Sequence, residues 1–401
     1  MVKLMGTENK LFTNEFFLLL ALTALGAALR ASWMVNPATG FMVDEVYYVP
    51  AALHYLHPLS THLNQVSSLF TEDRSVYFYV NPEHPPLVKL LIALGVLMFG
   101  NNPLGWRFFS TLFGSISTPA LYFTSKRLCP KSALFAAALY ALYPLDVSMS
   151  QIGMLDAPMV CFSILTVLSM VYEKPKLASV FLGLSVASKL PGLTVALPFV
   201  YYVLAKNRES FKRGLKQLLK LLALAFLVYL CAFIPLGYYF GVEAVILDQA
   251  YMFLVQQYYG TPTGLAQFFS WLVQFSTSFN PTIFMNNPVV TLLSIPAFVY
   301  SLFKLRNINA LVLAGFYIGS FGLILAASVI RPIYSFYLED AAPSMILLDA
   351  FLLEALLKSK SWKWIGYALL FIALSISGVL IPIFLYPSTA PFVKEITNFR
   401  L

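Results

Sequence analysis

Charge is what this sequence has least of. Lysine, arginine, aspartate and glutamate together make 11% of its 401 residues, against about 25% in a soluble domain, so the chain lacks the polar surface needed to face water all round. Histidine is scarce, with four residues, and cysteine scarcer, with three. Cys129, Cys161 and Cys231 lie in or beside apolar segments without paired spacing, which argues against a disulfide framework or a thiolate zinc site and leaves them as packing residues. No internal repeat, low-complexity tract or nucleic-acid module is visible.

What is abundant is apolar. Hydrophobic residues make 59% of the chain, and its mean hydropathy is +0.76. Lipid as solvent removes the need for a charged surface, and helices satisfy their own backbone groups there. The chain therefore reads as an all-α polytopic membrane protein. Its net charge of +8 falls in short Lys and Arg runs between apolar stretches, the pattern of topology signals rather than of a nucleic-acid groove. At the N-terminus, Lys3 and Lys10, an apolar run from Phe16 and the small residues Gly26-Ala27-Ala28 imitate a signal peptide. The run is long enough to span, and Asp44-Glu45 follow closely, so it reads as an anchor.

Apolar segments predict spans near 12–34, 107–126, 132–147, 157–172, 176–190, 191–206, 216–238, 289–304, 308–330, 338–357 and 363–386. A further run, Leu87 to Phe99, decides the topology. At about thirteen residues it is short for a span, which takes about 20, and suits an interfacial or re-entrant helix. If it stays at the interface, Lys126, Arg127, Lys131, Lys174, Lys176, Lys206, Arg208, Lys212, Arg213, Lys216, Lys304, Arg306, Lys358, Lys360 and Lys363 share the side of the N-terminus. The positive-inside rule makes that side cytoplasmic. The expectation is one membrane domain over 1–401, with about eleven spans and two long external loops, 35–106 and 239–288.

This topology gathers the chemistry-bearing residues on the outer face: Asp44-Glu45, the four histidines, Arg107, Asp156, Lys189, Tyr258-Tyr259-Gly260 and the stretch from Arg331 to Asp340. Ionisable groups at membrane depth are costly and mark function. Asp44-Glu45 could be a helix N-terminal charge pair; a carboxylate beside apolar groups can also serve as a general base. His54, His57, His62 and His84 all fall in the first external loop and could ligate a metal with nearby carboxylates, but their spacings match no fixed ligand motif. Pro85-Pro86 read as a helix start. Lys89 follows in the first turn, where a cation opposes the helix dipole, which suggests an anionic partner. Arg107, Lys189 and Arg331 could each be an interfacial anchor; converging, they would hold a phosphate, of a lipid headgroup or of a substrate. Asp146 reads as a cap. Tyr258, Tyr259, Trp271, Tyr334 and Tyr337 read as outer-face aromatics of the membrane belt.

In this order the pieces resemble the protein O-mannosyltransferases (dolichyl-phosphate-mannose-protein mannosyltransferases) and their relatives among the GT-C membrane glycosyltransferases. The resemblance is carried by Asp44-Glu45, by His84-Pro85-Pro86-Leu87-Val88-Lys89-Leu90-Leu91 and by Arg107-Phe108-Phe109-Ser110. It continues in Leu155-Asp156-Ala157-Pro158, Ser188-Lys189 and Arg331-Pro332-Ile333-Tyr334-Ser335-Phe336-Tyr337. It implies a GT-C fold with interfacial helices in the first external loop, a polyprenyl-phosphate sugar donor (mannose first), inversion at the sugar carbon, and no obligatory metal. Asp44 and Glu45 would then be catalytic, with Lys89, Arg107, Lys189 and Arg331 as donor-phosphate ligands and His84, Asp156, Tyr258 and Tyr337 lining the sugar or acceptor. Two departures are Val88, where the family usually has Gly, and a loop after about residue 238 too short for the β-trefoil domain of the eukaryotic enzymes. The compact form resembles a prokaryotic cell-membrane member acting outside the cytosol. The acceptor is left open between protein Ser/Thr, lipid and glycan. A transporter would instead carry polar residues along both halves of a path, and a scaffold gives no reason for the Asp-Glu and His-Pro-Pro clusters.

Overall fold

The computed structural model describes residues 2–35, 40–56, 81–255, 261–273 and 286–385. Among them it is helical and contains no strand. The order is α1 (Val2–Ala31), α2 (Glu45–Leu56), α3 (Leu87–Phe99), α4 (Pro103–Leu128), α5 (Ala133–Ala141), α6 (Pro144–Ser150), α7 (Asp156–Val171), α8 (Pro175–Ser188) and α9 (Ala196–Lys206). Then come α10 (Phe211–Cys231), α11 (Ile234–Phe240), α12 (Val242–Val255), α13 (Leu265–Val273), α14 (Pro288–Leu302), α15 (Ile308–Tyr317), α16 (Leu323–Ile330), α17 (Leu338–Lys358) and α18 (Lys363–Leu385).

Local sequence sets several boundaries. Asn102 accepts from the amides of Leu104 and Gly105 at 3.0 and 3.3 Å with Pro103 at the first helical position, and Asn287-Pro288 starts α14 in the same way. Gly100 ends α3 at φ +88° and Gly241 ends α11 at φ +89°, a region that L side chains rarely enter. Helices cover the expected spans. By length and composition 14–31, α10 and 308–330 are long and apolar enough to cross a membrane, and the bent pair α5–α6 adds a fourth; several more are shorter apolar helices.

Several expected spans are not single rods. The 132–147 segment breaks after Ala141, and the stretch Pro130–Ala141 meets α6 at 53°. Pro144 has no N–H and its ring blocks helix continuation, so the carbonyls before it need other donors. Arg30 supplies them from α1, donating to Ala141 O at 3.1 Å and Tyr140 O at 3.0 Å. The same guanidinium pairs with Asp146, which also accepts from Tyr140 Oη at 2.6 Å. Asp146, expected to cap a helix, is thus half of a fully buried ion pair. The second departure lies at 191–206, which begins as a 3₁₀ turn over Leu190–Val195 before α9. In 308–330 a π-turn at Ile318–Gly322 separates α15 from α16.

The helices pack side by side, α7 against α4 and α8, α8 against α10, α14 against α17 and α9 against α15. Ionic contacts then distinguish two ends of the bundle. At one, Lys126 pairs with Glu15 at 2.6 Å, Lys206 with Glu173 at 2.6 Å and Lys358 with Glu354 at 3.0 Å; Arg127 lies over the Tyr172 ring, and Glu354 accepts from the Lys131 amide. These are residues of the loops that charge alternation assigned to one side. The N-termini of α4, α7 and α17 and the C-terminus of α8 lie at the opposite end.

Candidate active site

At that opposite end the chain folds Asp44 and Glu45 apart in role. Val43, at φ +52°, takes a left-handed conformation unusual for a β-branched residue, and the turn it makes sends the two carboxylates in different directions. Glu45 points inward and is fully buried. Its Oε1 accepts from Arg107 Nε at 2.7 Å and the Gly153 amide at 2.6 Å, and its Oε2 from Arg107 Nη2 and the Met42 amide, both at 2.8 Å. Arg107 Nη2 also reaches Gly40 O at 3.2 Å. This two-point pair ties α2 and the chain before it to α4 and to the turn preceding α7. That turn is held in addition by Ser110 and Thr111 of α4, which donate to Met154 O and Ser150 O.

Asp44 is only half-buried. Tyr48, one turn along α2, donates to its Oδ2 at 3.3 Å. Burial raises the Asp44 carboxyl above the usual range; Lys189 opposes that rise, the Asp156 charge adds to it and the Tyr48 hydrogen bond opposes it. The electrostatic reach of these groups puts Asp44, Asp156 and Lys189 around one space.

Lys189 and Asp156 are assembled by helix ends. Asp156 opens α7 and Lys189 closes α8, each at the terminus its charge favours, and Lys189 Nζ donates to Asp156 Oδ1 at 2.6 Å. Lys189 is 2% exposed and Asp156 not at all. The ammonium also lies 4.6 Å from the Tyr337 ring centroid and 5.3 Å from that of Phe336, a cation–π arrangement. The segment carrying these rings is pinned from the residues before α13: Thr263 Oγ1 donates to Ile333 O at 3.0 Å and accepts from the Ile333 amide at 2.8 Å, while the Gly264 amide donates to Ser328 O. Arg331, half-exposed, lies on this pinned segment and donates to Pro332 O at 3.4 Å; its charge is felt by both His84 and Tyr337.

The His84 ring meets Tyr48 edge to face at 5.8 Å. Burial, helped by the charges of Lys189, Lys89 and Arg331, pulls its imidazole well below the ordinary range, so it is neutral at physiological pH. Lys89 turns inward and is fully buried, donating to Asn81 O at 2.5 Å and His84 O at 2.7 Å. Asp248 of α12 and Glu83 lie within its electrostatic reach. Lys89 therefore ties down the loop that carries His84 and feels an acidic group on α12. His54 stacks on Phe240 at 5.3 Å.

The fold thus gathers Asp44, His84, Asp156, Lys189, Arg331 and Tyr337 of the expected residues, and uses Glu45, Arg107 and Lys89 in the frame around them. Tyr258, His57 and His62 lie outside the described residues. Among the described residues no three His, Cys, Asp or Glu side chains are placed to hold a metal ion. Sequence reasoning gave no role to Tyr48 or Asp248, and took Glu339 and Asp340 only as part of the chemistry-bearing stretch from Arg331 to Asp340. Period would have found Tyr48, one helical turn from Asp44; no spacing relates Asp248 to Lys89.

Comparison with known proteins places this geometry in context. Residues 83–238 match the family described as dolichyl-phosphate-mannose-protein mannosyltransferase. The polyprenol-phosphate-mannose–protein mannosyltransferase of Corynebacterium glutamicum is 35% identical over 122 residues, 30% of this chain and 22% of that protein. Its namesake from Mycolicibacterium smegmatis is 31% identical over 147 residues, 36% of this chain and 26% of that protein. The chain therefore spans about a quarter of the length of these relatives. Among solved structures, ArnT from Cupriavidus metallidurans superposes with a TM-score of 0.61 at 14% identity, over 96% of this chain and 75% of that one. AglB, the oligosaccharyltransferase of Archaeoglobus fulgidus solved with an inhibitory peptide and a dolichol-phosphate, gives 0.59 at 13% identity, over 91% and 55%. The fold is that of the GT-C membrane glycosyltransferases, and the chain is an integral membrane protein similar in sequence to the protein mannosyltransferases.

Proposed function

We propose that this chain transfers a sugar, mannose first, from a polyprenyl phosphate to a hydroxyl acceptor such as a protein Ser or Thr. The observation that carries the reading is Asp44: a half-buried carboxylate with a raised pKa within reach of the Lys189 cation, beside a neighbour whose own carboxylate is fully engaged. In the reaction, Asp44 takes the proton of the acceptor hydroxyl, the oxygen attacks the anomeric carbon, and the bond from that carbon to the phosphate oxygen breaks with inversion. Polyprenyl phosphate departs as an anion. That leaving group needs opposite charge in a fixed position, and Arg331, half-exposed at the site, offers a guanidinium fork for it. Lys189 adds field from behind its pair with Asp156. His84, Asp156 and Tyr337 line the sugar and acceptor.

Glu45 and Arg107 act in this scheme by positioning. The four hydrogen bonds that Glu45 accepts leave its oxygens little capacity for substrate. Lys89 likewise orders the loop of His84. The reading calls for no metal, because fixed cations meet the developing charge. It sets the basic end of the bundle in the cytoplasm of a prokaryotic cell and the site outside, with α3 at the interface where a polyprenyl tail arrives; some eleven crossings follow. Support for a lipid-phosphate donor and a protein acceptor comes from the similarity to mannosyltransferases named for both.

The test is product mass from purified protein in lipid, given polyprenyl-phosphate mannose and a Ser/Thr-rich peptide, with Asp44→Asn as control and a parallel run in EDTA. Hexose added by the wild type alone, with or without EDTA, is the expected result. Donor binding without peptide product would redirect the acceptor to a lipid or glycan; product from Asp44→Asn would remove the base.

A further inference from the structure

Directly after the aromatic pair over Lys189, α17 opens with two acids. Phe336 and Tyr337 lie within 5.3 Å of the Lys189 ammonium. Glu339 and Asp340 follow each of them by three residues, which puts them on the same faces of the advancing helix. Glu339 is fully buried and Asp340 is 5% exposed. Among the described residues none of their four carboxylate oxygens has a hydrogen-bond partner, and neither has Asp156 Oδ2. Lys189 does not quench them, since its one hydrogen bond goes to Asp156 Oδ1. Asp340 nonetheless lies within electrostatic reach of Lys189 and Asp156, and Glu339 within reach of the same pair. Five buried acceptor oxygens therefore lie around the Lys189–Asp156 pair, with Glu339 also within electrostatic reach of Asp146.

Buried polar atoms are almost always satisfied, and carboxylates left without donors are among the most costly exceptions. An ionised carboxylate only accepts, while a protonated one accepts and donates; in either state a hydroxyl is a fitting partner. A hexose carries several hydroxyls on adjacent carbons and brings no charge to compete with a departing phosphate.

We infer that Glu339 and Asp340, with Asp156 Oδ2 beside them, form the seat for the hydroxyls of the transferred sugar and set which sugar the site accepts. The inference rests on the donor class proposed above and adds to it the residues that read the sugar. The Lys189–Asp156 pair links the seat to Asp44, since the charges of both residues reach Asp44 as well as Glu339 and Asp340.

The experiment compares binding of polyprenyl-phosphate mannose with binding of the bare polyprenyl phosphate, for full-length wild type and for Glu339→Gln and Asp340→Asn in lipid nanodiscs. Both variants conserve volume, and bare lipid binding reports whether each is folded. In the wild type the sugar should tighten binding by roughly 10–100-fold, the worth of one or two hydrogen bonds to charged groups. Each variant should lose most of that increment while holding the bare lipid as before. Mannose donors lacking a single hydroxyl should show the loss already in the wild type, and the variant matching the missing hydroxyl should lose nothing further. Variants that retain the full increment would overturn the inference, as would an equal loss for both lipids, which would assign the acids to the phosphate or to the fold. A wild type that binds bare lipid with no sugar increment would overturn it while leaving the lipid-phosphate site standing. A wild type that binds neither lipid would remove the donor class itself, and this inference with it.

Discussion

Adjacent acids at 44 and 45 should answer the same chemical change in opposite ways. Changing Glu45 to Gln removes one charge of a pair in which neither side chain is exposed, and it replaces an oxygen acceptor by an NH₂ that faces donors. Each Glu45 oxygen accepts two hydrogen bonds, so one of these sites must end with donor against donor, and Arg107 keeps a buried charge with no counterion. Breaking a buried pair from one side costs about 3–5 kcal/mol. Asp44→Asn takes a carboxylate from a half-exposed position where burial already disfavours its charge, and its effect on stability should stay within about 0.5 kcal/mol. Its effect on transfer should be roughly 10²–10⁴-fold. Thermal unfolding in nanodiscs, followed by intrinsic fluorescence beside a transfer assay at low temperature, separates the two. Glu45→Gln should melt many degrees lower, and its remaining folded fraction should keep measurable turnover. The double variant Glu45→Gln/Arg107→Gln should recover part of the lost stability. A Glu45→Gln protein as stable as wild type, or an Asp44→Asn protein that melts with it, would refute the division of labour.

Other consequences follow from neighbouring contacts. Asp44 must be ionised to accept a proton, so kcat/KM should fall as pH drops through its raised pKa, above the usual carboxylate range. Lys189→Gln removes a cation that lowers that pKa and should move the acidic limb to higher pH, whereas Asp156→Asn removes a like charge and should move it lower; limbs that stay in place in both variants would disconnect Asp44 from the profile. Arg30→Met leaves Asp146 buried without its ion-pair partner and uncaps the carbonyls of Tyr140 and Ala141, and should cost about 3–5 kcal/mol in thermal or denaturant unfolding. At Gly183 an added Cβ would lie 2.4 Å from Ala225 O and 2.8 Å from Val228 Cβ, so Gly183→Ala should force α8 from α10 and cost about 1–3 kcal/mol; an unchanged melting temperature would show that these helices do not approach as closely.

The sequence was most legible where physics is local or periodic. Leu87 and Phe99 bound the short apolar run and are the ends of α3, because Pro86 and Gly100 punctuate it. Basic loops could be sorted to one side because the rule that sorts them acts on charge alone, and Glu15, Glu173 and Glu354 meet their lysines at one end of the bundle. Pairs made by the fold were hidden. Glu45 and Arg107 lie 62 positions apart and Lys189 and Asp156 33 apart, and no spacing tells that they touch; with the contacts absent, Glu45 looked as reactive as Asp44. The break after Ala141 was missed because an apolar run with Pro144 near its end still reads as a span until the donors for its orphaned carbonyls are known. Glu339 and Asp340 were included in the chemistry-bearing stretch from Arg331, but as two acids at a helix start, a placement that the macrodipole explains by itself, they pointed to no individual role.

Arg30 also has a history within each round of biosynthesis. Its partner Asp146 lies 116 residues further along the chain, so at about 5–20 residues per second α1 emerges some 6–23 s before that carboxylate exists. During the wait the guanidinium at the end of α1 must remain in water or among headgroups. Only when α5 and α6 follow can it leave them, close the open end of α5 and draw α1 against the later helices. The N-terminal helix is therefore built to be provisional, and a nascent chain arrested between α4 and α6 should show Arg30 accessible to aqueous reagents through a cysteine placed there, with protection arriving once residue 146 has left the ribosome and entered the membrane.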